Sequence, residues 1–275
     1  MSAFRADLQF HPFSNRDYDL YDILQKMEEK RIDALGCLEY PWQKNVSLDL
    51  VRKIDDKTKK EYFISMNSGN VLSFMNIKSK KFLHLILGQE IASPDQGHHF
   101  LSIGALGISC WKKPEDIIKQ VLDKEGIFIF DHPFANPQKW FKDISRRKEK
   151  DISLFCQKYQ DKIILEWNGY SPGWLRKITP FYSNINEKAD NLAYQLKIPI
   201  VPTTDTHAVN KRALEVIGTC LIEIPSHLVN QKKIVQSLKE NILSFNYFPF
   251  FRTVSFEHLF FAFIKPYLQQ KIFEN

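Results

Sequence analysis

Residues Ile198–Ala208 read Ile-Pro-Ile-Val-Pro-Thr-Thr-Asp-Thr-His-Ala. A short apolar run with β-branched residues ends here, and Asp205 and His207 follow almost at once. Functional side chains of α/β folds gather at the carboxyl ends of strands, and Asp and His are common ligands of catalytic divalent metals. An isolated Asp-x-His also fits a plain turn in which Asp205 caps the next segment. The residues at the ends of the other predicted strands are therefore needed to distinguish a functional site from a turn.

The composition is that of a globular protein. The 275 residues are 44% hydrophobic and 25% charged, with a net charge of +6. This weakly basic balance suits an anionic substrate, and nucleic acid is possible but not indicated. The chain has no apolar run long enough for a membrane span, no signal-peptide core, and four widely separated cysteines without a Cys-x-x-Cys pair. We therefore predict a cytoplasmic protein with no membrane span and leave its oligomeric state open.

Most of the chain alternates short apolar runs with stretches of helical periodicity. Leu20, Ile23, Leu24 and Met27 fall at i, i+3, i+4 and i+7, which places them on one helix face. Pro114 begins another helix at the position that proline favours. Apolar strands that alternate with helices indicate a parallel sheet covered by helices, either open or closed into a barrel.

Five apolar runs end in side chains that bind metals well. The residues at these ends are His11, Glu90, His132, Glu166, and Asp205 with His207. In a βα barrel the carboxyl ends of the strands point to one rim, so these side chains would converge. Converging carboxylates and imidazoles destabilise one another unless cations compensate them, and this mixture suits zinc, iron or manganese. We therefore predict divalent metal ions at the rim.

The same segments resemble motifs of the polymerase-and-histidinol-phosphatase (PHP) domain family. In chain order, the similar segments are Asp7-Leu8-Gln9-Phe10-His11, Gly88-Gln89-Glu90, Gly97-His98-His99-Phe100-Leu101, Asp131-His132-Pro133, Glu166-Trp167-Asn168-Gly169 and Thr204-Asp205-Thr206-His207-Ala208. The resemblance implies an α/β fold, a distorted seven-stranded (βα)7 barrel similar to a TIM barrel, with up to three metals at the carboxyl rim. We assign residues 1–240 to this barrel and residues 241–275 to an aromatic extension packed on it, within a single domain.

The resemblance also implies a set of metal ligands. These are His11, Glu90 and Asp205 for a first metal, and Glu90 as a bridge with His99 and His132 for a second. His98 is the alternative to His99, and His207 belongs to a third position. Glu166 and Asp17 are further, uncertain ligands.

Two segments depart from the family's motifs. Gln9 stands where the opening motif has its first histidine, and its amide oxygen would be a weak, neutral ligand. Leu38-Glu39-Tyr40 stands where the family has Thr-Asp-His. Tyr40 could bind iron or manganese as a phenolate, or the third position could simply be lost. We therefore expect two metals, or one metal that binds strongly and one that binds weakly.

These residues favour a metal-dependent hydrolase, most simply a phosphoesterase that acts on a small phosphorylated substrate. A metal lowers the pKa of bound water to about 7, so hydroxide becomes available at neutral pH. Asp205 would hold metal, and His207, if it binds none, would protonate the leaving oxygen as general acid. Arg16, Asn168 and Lys211 are the candidate substrate-binding residues.

Two other functions stay open. The changes at Gln9 and Tyr40 would also fit a catalytically degraded protein that serves binding or assembly, with the aromatic segment 241–275 as its interface. An amidohydrolase-type deaminase would share the barrel and the metal ligands, although the first strand carries no His-x-His pair.

Overall fold

The fold is taken from a computed structural model that describes residues 2–12, 17–40, 49, 54–67, 70–93, 98–134, 149–169, 185–208 and 210–252. The strands of these residues are β1 (Ala3–Pro12), β2 (Ala34–Glu39), β3 (Tyr62–Asn67), β4 (Val71–Asn76), β5 (Phe82–Ser93), β6 (His98–Ile103), β7 (Ile127–Asp131), β8 (Ile164–Asn168), β9 (Ile200–Thr203), β10 (Thr206–Ala208), β11 (Leu221–Pro225) and β12 (Phe248–Phe250). The α-helices are α1 (Leu20–Lys30), α2 (Asp56–Glu61), α3 (Pro114–Asp123), α4 (Glu149–Lys158), α5 (Ile185–Leu196) and α6 (Ile234–Leu243). Among the described helices, none is both long enough and apolar enough to cross a membrane.

The strands form one sheet whose main path runs β12-β11-β1-β2-β5-β6-β7-β8-β9. Strands β1, β2 and β5 are parallel neighbours, and so are β7, β8 and β9. Strand β6 lies between these two groups and is antiparallel to both of its neighbours. The sheet curves until β10, which follows β9 by two residues, pairs with β1. The result is a nearly closed, barrel-like sheet.

This barrel is larger and less regular than the seven-stranded βα barrel that the resemblance implied. Nine strands lie along its main path. Three of these strands run antiparallel to their neighbours: β6 lies between two parallel groups, and β11 and β12 extend the sheet beyond β1. A helix lies between β6 and β7 and another between β11 and β12, so the alternation of strands and helices in the sequence does not reveal that these strands are antiparallel.

The stretch Ile198–Ala208 joins the two ends of the barrel. Strand β9 pairs with β8, strand β10 pairs with β1, and only Thr204 and Asp205 lie between them. Asp205 has a φ angle of 48°, in the left-handed region, so the backbone changes direction at this residue. The Asp205 side chain is buried at this junction, unlike a residue that caps an exposed turn.

A β-bulge in β1 directs its last polar side chains into the barrel. The pairing register between β1 and β2 shifts after Asp7. At this point the carbonyl of Leu8 comes so close to Gly36 that a Cβ on Gly36 would lie 2.3 Å from the carbonyl oxygen. Bulges re-aim side chains, and both Gln9 and His11 are fully buried beyond this one.

Helix α6 packs on the apolar part of the barrel. Its Ile234, Leu238 and Ile242 belong to one buried cluster with side chains from β1, β6, β7 and β11. Strand β12 pairs with β11 and leaves Phe248 and Phe250 exposed. Residues 253–275 lie outside the described residues, so the packing of the extension 241–275 stays a prediction.

His84, which lies far from the rim at the start of β5, makes the free energy of unfolding depend on pH. Its Nδ1 lies 2.8 Å from the Ser73 hydroxyl, and burial lowers its pKa to about 4. The unfolded chain has a histidine pKa of about 6.5 and therefore takes up this proton first. The stability that neutral His84 contributes is present above pH 6.5 and is lost as the pH falls towards 4, by about 3 kcal/mol.

We therefore expect urea unfolding of the metal-free protein to show a smaller loss of stability between pH 6.5 and pH 4 for His84→Gln than for the wild type. Glutamine keeps a polar partner for Ser73 but does not titrate in this range. Parallel pH profiles for the two proteins would show that His84 ionises normally.

Candidate metal centre

A polar cluster forms where the predicted strand ends meet. Its side chains are Gln9, His11, Glu90, His99, Asp131, His132, Glu166, Asn168, Asp205 and His207. Most come from the carboxyl ends of β1, β5, β7 and β8 or from the β9–β10 junction, because parallel strands end at the same edge. His99 instead lies at the start of β6, which reaches this rim because it runs antiparallel.

Three side chains, His99, Asp131 and His132, form the tightest set of candidate ligands, here called the His–Asp–His group. Within the described part of the chain, this is the one group of three or more such side chains whose ligand atoms all lie within 4.8 Å of one another. The ladder between β6 and β7 pairs His99 with Asp131, and His132 follows with a φ of 25°. His132 Nδ1 lies 2.9 Å from Asp131 Oδ1. Two imidazoles and a carboxylate can hold a divalent cation of the zinc, iron or manganese type.

Glu90 lies between the His–Asp–His group and His11. Its Oε1 is 2.6 Å from His99 Nδ1, and its Oε2 is 3.6 Å from His11 Nε2. The two oxygens of this buried carboxylate therefore face two different imidazoles. Glu90 thus connects the His–Asp–His group with His11.

His11 and Asp205 form the second set of candidate ligands. His11 Nε2 lies 3.5 Å from Asp205 Oδ1. Gln9 Nε2 donates to the same oxygen at 2.9 Å, and Asn168 Nδ2 donates to Oδ2 at 2.8 Å. The Gln9 oxygen accepts a hydrogen bond from the Thr203 hydroxyl at 2.8 Å, so Gln9 presents its amide nitrogen to the centre. In this arrangement Gln9 orients Asp205 instead of offering an oxygen ligand.

Tyr40 and His207 lie beside this pair and contact each other. The Tyr40 hydroxyl contacts His207 Nδ1 and lies 3.0 Å from Nε2. The Tyr40 ring stacks on His11 with 4.2 Å between the ring centroids. His207 Nε2 also lies 3.3 Å from Asp205 Oδ1. The phenol thus packs where the resemblance would place a third set of ligands.

Glu166 supports the centre through hydrogen bonds. Its Oε2 accepts from the backbone N of His132 at 2.5 Å, and its Oε1 accepts from Asn168 Nδ2 at 3.1 Å and contacts the Thr203 hydroxyl oxygen. Burial and the nearby charge of Asp131 raise the pKa of Glu166 well above its usual value. Since both oxygens are engaged, Glu166 fixes the backbone at His132.

Opposite charges in the centre stabilise one another. Burial alone would raise the pKa of Asp205, but His207 and His11 outweigh it and hold that pKa well below its usual range. Burial alone would lower the pKa of His132, but Asp131 outweighs it and raises that pKa well above 6.5. A divalent cation would take over the role of these imidazole protons, since metal ligation needs neutral histidine.

The chemistry of these atoms suits a divalent cation. His99 Nδ1 and His132 Nδ1 are buried without a hydrogen-bond partner, although they lie 2.6 and 2.9 Å from carboxylate oxygens of Glu90 and Asp131. Two ligands of a tetrahedral zinc ion lie about 3.3 Å apart, so the 3.5 Å between His11 and Asp205 is close to this spacing, whereas the contacts of His99 and His132 are shorter.

Other candidate residues lie away from the centre. His98 points to the opposite face of β6 and packs edge-on against a phenylalanine of β7, at 4.7 Å. Asp17 accepts a hydrogen bond from the backbone N of Lys211 at 2.5 Å, and Lys211 Nζ pairs with Asp22 at 2.6 Å. Arg16 lies outside the described residues. Of the candidate substrate-binding residues, the described chain therefore brings Asn168 into the centre and leaves Lys211 in a surface ion pair.

Asp131 is the residue of the centre that the sequence reasoning missed. It is fully buried and ends β7, directly before His132. Its position at a strand end is the same signal that selected Glu166. The resemblance to the His-Pro motif predicts a role for His132 and none for the carboxylate beside it.

The chain is similar to known proteins in its fold and not in its sequence. No family model matches the chain, and no curated protein matches its sequence. A two-domain protein from Bacteroides vulgatus ATCC 8482 that contains a predicted PHP-like metal-dependent phosphoesterase is similar in structure, with a TM-score of 0.51 and 14% identity. The match covers 91% of this chain and 65% of that protein, so the chain spans less than two thirds of its length.

A second solved structure is similar along its whole length. PsfC from Pseudomonas syringae PB-5123 matches with a TM-score of 0.57 and 11% identity, and the match covers 99% of this chain and 100% of that one. At these identities the likeness is one of fold. The chain thus shares its fold with part of a protein that contains a predicted PHP-like metal-dependent phosphoesterase, and its own rim carries the His–Asp–His group.

Proposed function

We propose that the chain is a metal-dependent phosphoesterase with two cation positions at the rim of the barrel. The observation that carries the proposal is the placement of Glu90 between the His–Asp–His group and the pair His11 and Asp205. Two cations bridged by a carboxylate hold both the attacking and the leaving oxygens of a phosphoester. The similar fold of a protein that contains a predicted PHP-like metal-dependent phosphoesterase supports the same choice.

The side chains around the cations have separate tasks in this proposal. Bound zinc, manganese or iron would supply Lewis-acid activation of water and of the phosphoryl group. Asn168 holds Asp205 in place by donating to its Oδ2. His207, kept at the rim by Tyr40 and Asp205, is the residue proposed to donate a proton from Nε2 to the leaving oxygen.

The rest of the molecule fits a small phosphorylated substrate in a reducing compartment. The net charge of +6 favours anions. None of the four cysteines takes part in a disulfide, which agrees with the proposed cytoplasmic location.

The proposal is tested by a phosphatase screen on protein purified without chelator. We expect hydrolysis of p-nitrophenyl phosphate, or of members of a panel of sugar and nucleotide phosphates, that EDTA abolishes and added Mn²⁺, Zn²⁺ or Fe²⁺ restores. His132→Ala should lower this activity by about 100-fold or more, because loss of even an outer partner of a metal costs 10–100-fold. His227→Ala removes an exposed imidazole and should leave the activity unchanged. A flat screen in the presence of all three metals would refute the hydrolase.

A catalytically degraded binding protein is the second candidate. Two contacts support it: that of Tyr40 with His207, where the resemblance would place a third metal, and that of Gln9, whose amide nitrogen faces Asp205. Less than about one equivalent of bound metal together with a flat screen is the combination that this candidate predicts.

A further inference from the structure

Asp7 is a fully buried carboxylate that lies behind the metal centre. Its Oδ2 accepts hydrogen bonds from the Thr204 hydroxyl and, at 2.8 Å, from the backbone N of Gly218. Its Oδ1 accepts from the backbone N atoms of Thr204 and Gln9, each at 3.4 Å. Four donors from three segments of the chain therefore converge on one carboxylate.

These hydrogen bonds hold the point where the chain passes from β9 to β10. Thr204 directly follows β9 and directly precedes Asp205, whose φ of 48° is unusual for a residue with a side chain. Such a conformation persists only where its surroundings impose it. Asp7 binds Thr204 through both its hydroxyl and its backbone N, so it fixes the residue next to the strained one.

We propose that Asp7 is a positioning residue that, through Thr204, fixes the β9–β10 junction so that Asp205 and His207 face the centre. Its expected effect on metal affinity rests on the proposed function, whereas the positioning itself can be measured in metal-free protein. Asp7 makes no described hydrogen bond to the His–Asp–His group, and its hydrogen bonds reach the centre at Thr204 and at the backbone N of Gln9. The variants of Thr204 test the first of these two routes.

Asparagine is the sharpest substitution because it keeps the shape of Asp7. Its amide nitrogen would face the N–H of Gly218 or, after a flip, the N–H groups of Thr204 and Gln9. Either orientation sets donor against donor and leaves a buried N–H without an acceptor. Thr204→Val removes the hydroxyl that contacts Asp7 while keeping the side-chain volume, and Thr204→Ser keeps the hydroxyl.

Asp33 provides a matched control. Its Oδ2 also accepts a hydrogen bond from a backbone N, that of Arg5 at 2.8 Å, but at the other end of β1. Asp33→Asn should therefore lower the thermal stability without reaching the rim.

The first experiment records the imidazole ¹H–¹⁵N signals of metal-free protein by NMR, with the His207 signal assigned from its loss in His207→Gln. We expect Asp7→Asn and Thr204→Val to shift the His207 ring signals, and Thr204→Ser and Asp33→Asn to leave them at the wild-type positions. Unchanged signals in both Asp7→Asn and Thr204→Val would overturn the proposal, even if both variants melt at lower temperature.

The second experiment titrates each protein with Mn²⁺ by calorimetry. We expect Asp7→Asn and Thr204→Val to bind about 10–100-fold more weakly than the wild type, as for other supporting residues of metal sites. Wild-type affinity in both variants would contradict the proposal. If the wild type binds none of Mn²⁺, Zn²⁺ and Fe²⁺ while the ring signals still shift, the phosphoesterase proposal fails and the positioning role stands.

Discussion

The Asp205→Ala variant is expected to lose bound metal and phosphatase activity together. Asp205 Oδ1 lies 3.5 Å from His11 Nε2 and 3.3 Å from His207 Nε2, so its removal takes the carboxylate from one cation position. Loss of a residue that only supports a metal ligand lowers metal affinity about 10–100-fold. Loss of Asp205 itself should lower it further. Elemental analysis of the purified variant and its kcat/KM on the best substrate measure the two losses.

His207→Ala is the matched comparison for this loss. We expect its metal content to stay close to that of the wild type, because His207 contacts Tyr40 at the position where a third metal would lie. Its kcat should fall about 100-fold or more, the usual contribution of a positioned proton donor. Equal loss of metal in Asp205→Ala and His207→Ala would show that His207 is a metal ligand and that the third position is occupied.

Glu90→Gln is expected to empty both cation positions. The two oxygens of Glu90 face His99 and His11 separately, and an amide would set its NH₂ group against one of these imidazoles. Loss of the shared negative charge weakens both sites at once, so the metal content should fall below one equivalent. The activity should fall by at least the 100-fold expected for the loss of a single ligand.

Two further variants make the result for Glu90 specific. Glu115→Gln changes an exposed carboxylate on α3 and should keep full metal content and activity. His99→Ala should release the metal of the His–Asp–His group and keep part of the other. If Glu90→Gln retains two equivalents of metal, then Glu90 does not bridge, and the two positions are independent.

The residues that meet at the rim could be predicted from the sequence, because the carboxyl ends of parallel strands lie at one edge of a sheet. An apolar run that ends in a candidate ligand is visible without a structure. The fold brings His11, Glu90 and Asp205 together and places His132 beside His99. The same rule explains why Asp205 and His207 are on one rim with His11, since β10 pairs beside β1.

The number and direction of the strands could not be predicted in the same way. Strand β6 is antiparallel, and its apolar residues have no periodicity that distinguishes it from a parallel neighbour. This direction is also what brings His99 to the rim from the start of a strand. His98 and His99 are adjacent in sequence, and only the pairing of β6 with β7 decides which one faces the centre.

Long-range side-chain contacts were equally hidden in the sequence. Tyr40 meets His207 across 167 positions of the chain, so the phenol could be read as a ligand or as a lost site until the fold placed them together. Gln9 meets Asp205 across 196 positions, and the orientation of its amide depends on Thr203. Such contacts have no local pattern, because they arise from packing and not from spacing along one element.

Anomalous scattering from crystals soaked with Mn²⁺ would show how many cations the rim binds and where they lie. We expect two peaks at the rim, one against the His–Asp–His group and one against His11 and Asp205. Glu90 should lie between them, and the peaks should be about 3.5–4 Å apart, as in other two-metal sites. Crystals that hold saturating Mn²⁺ but show no anomalous peak within bonding distance of Glu90, His99 or Asp205 would contradict the account.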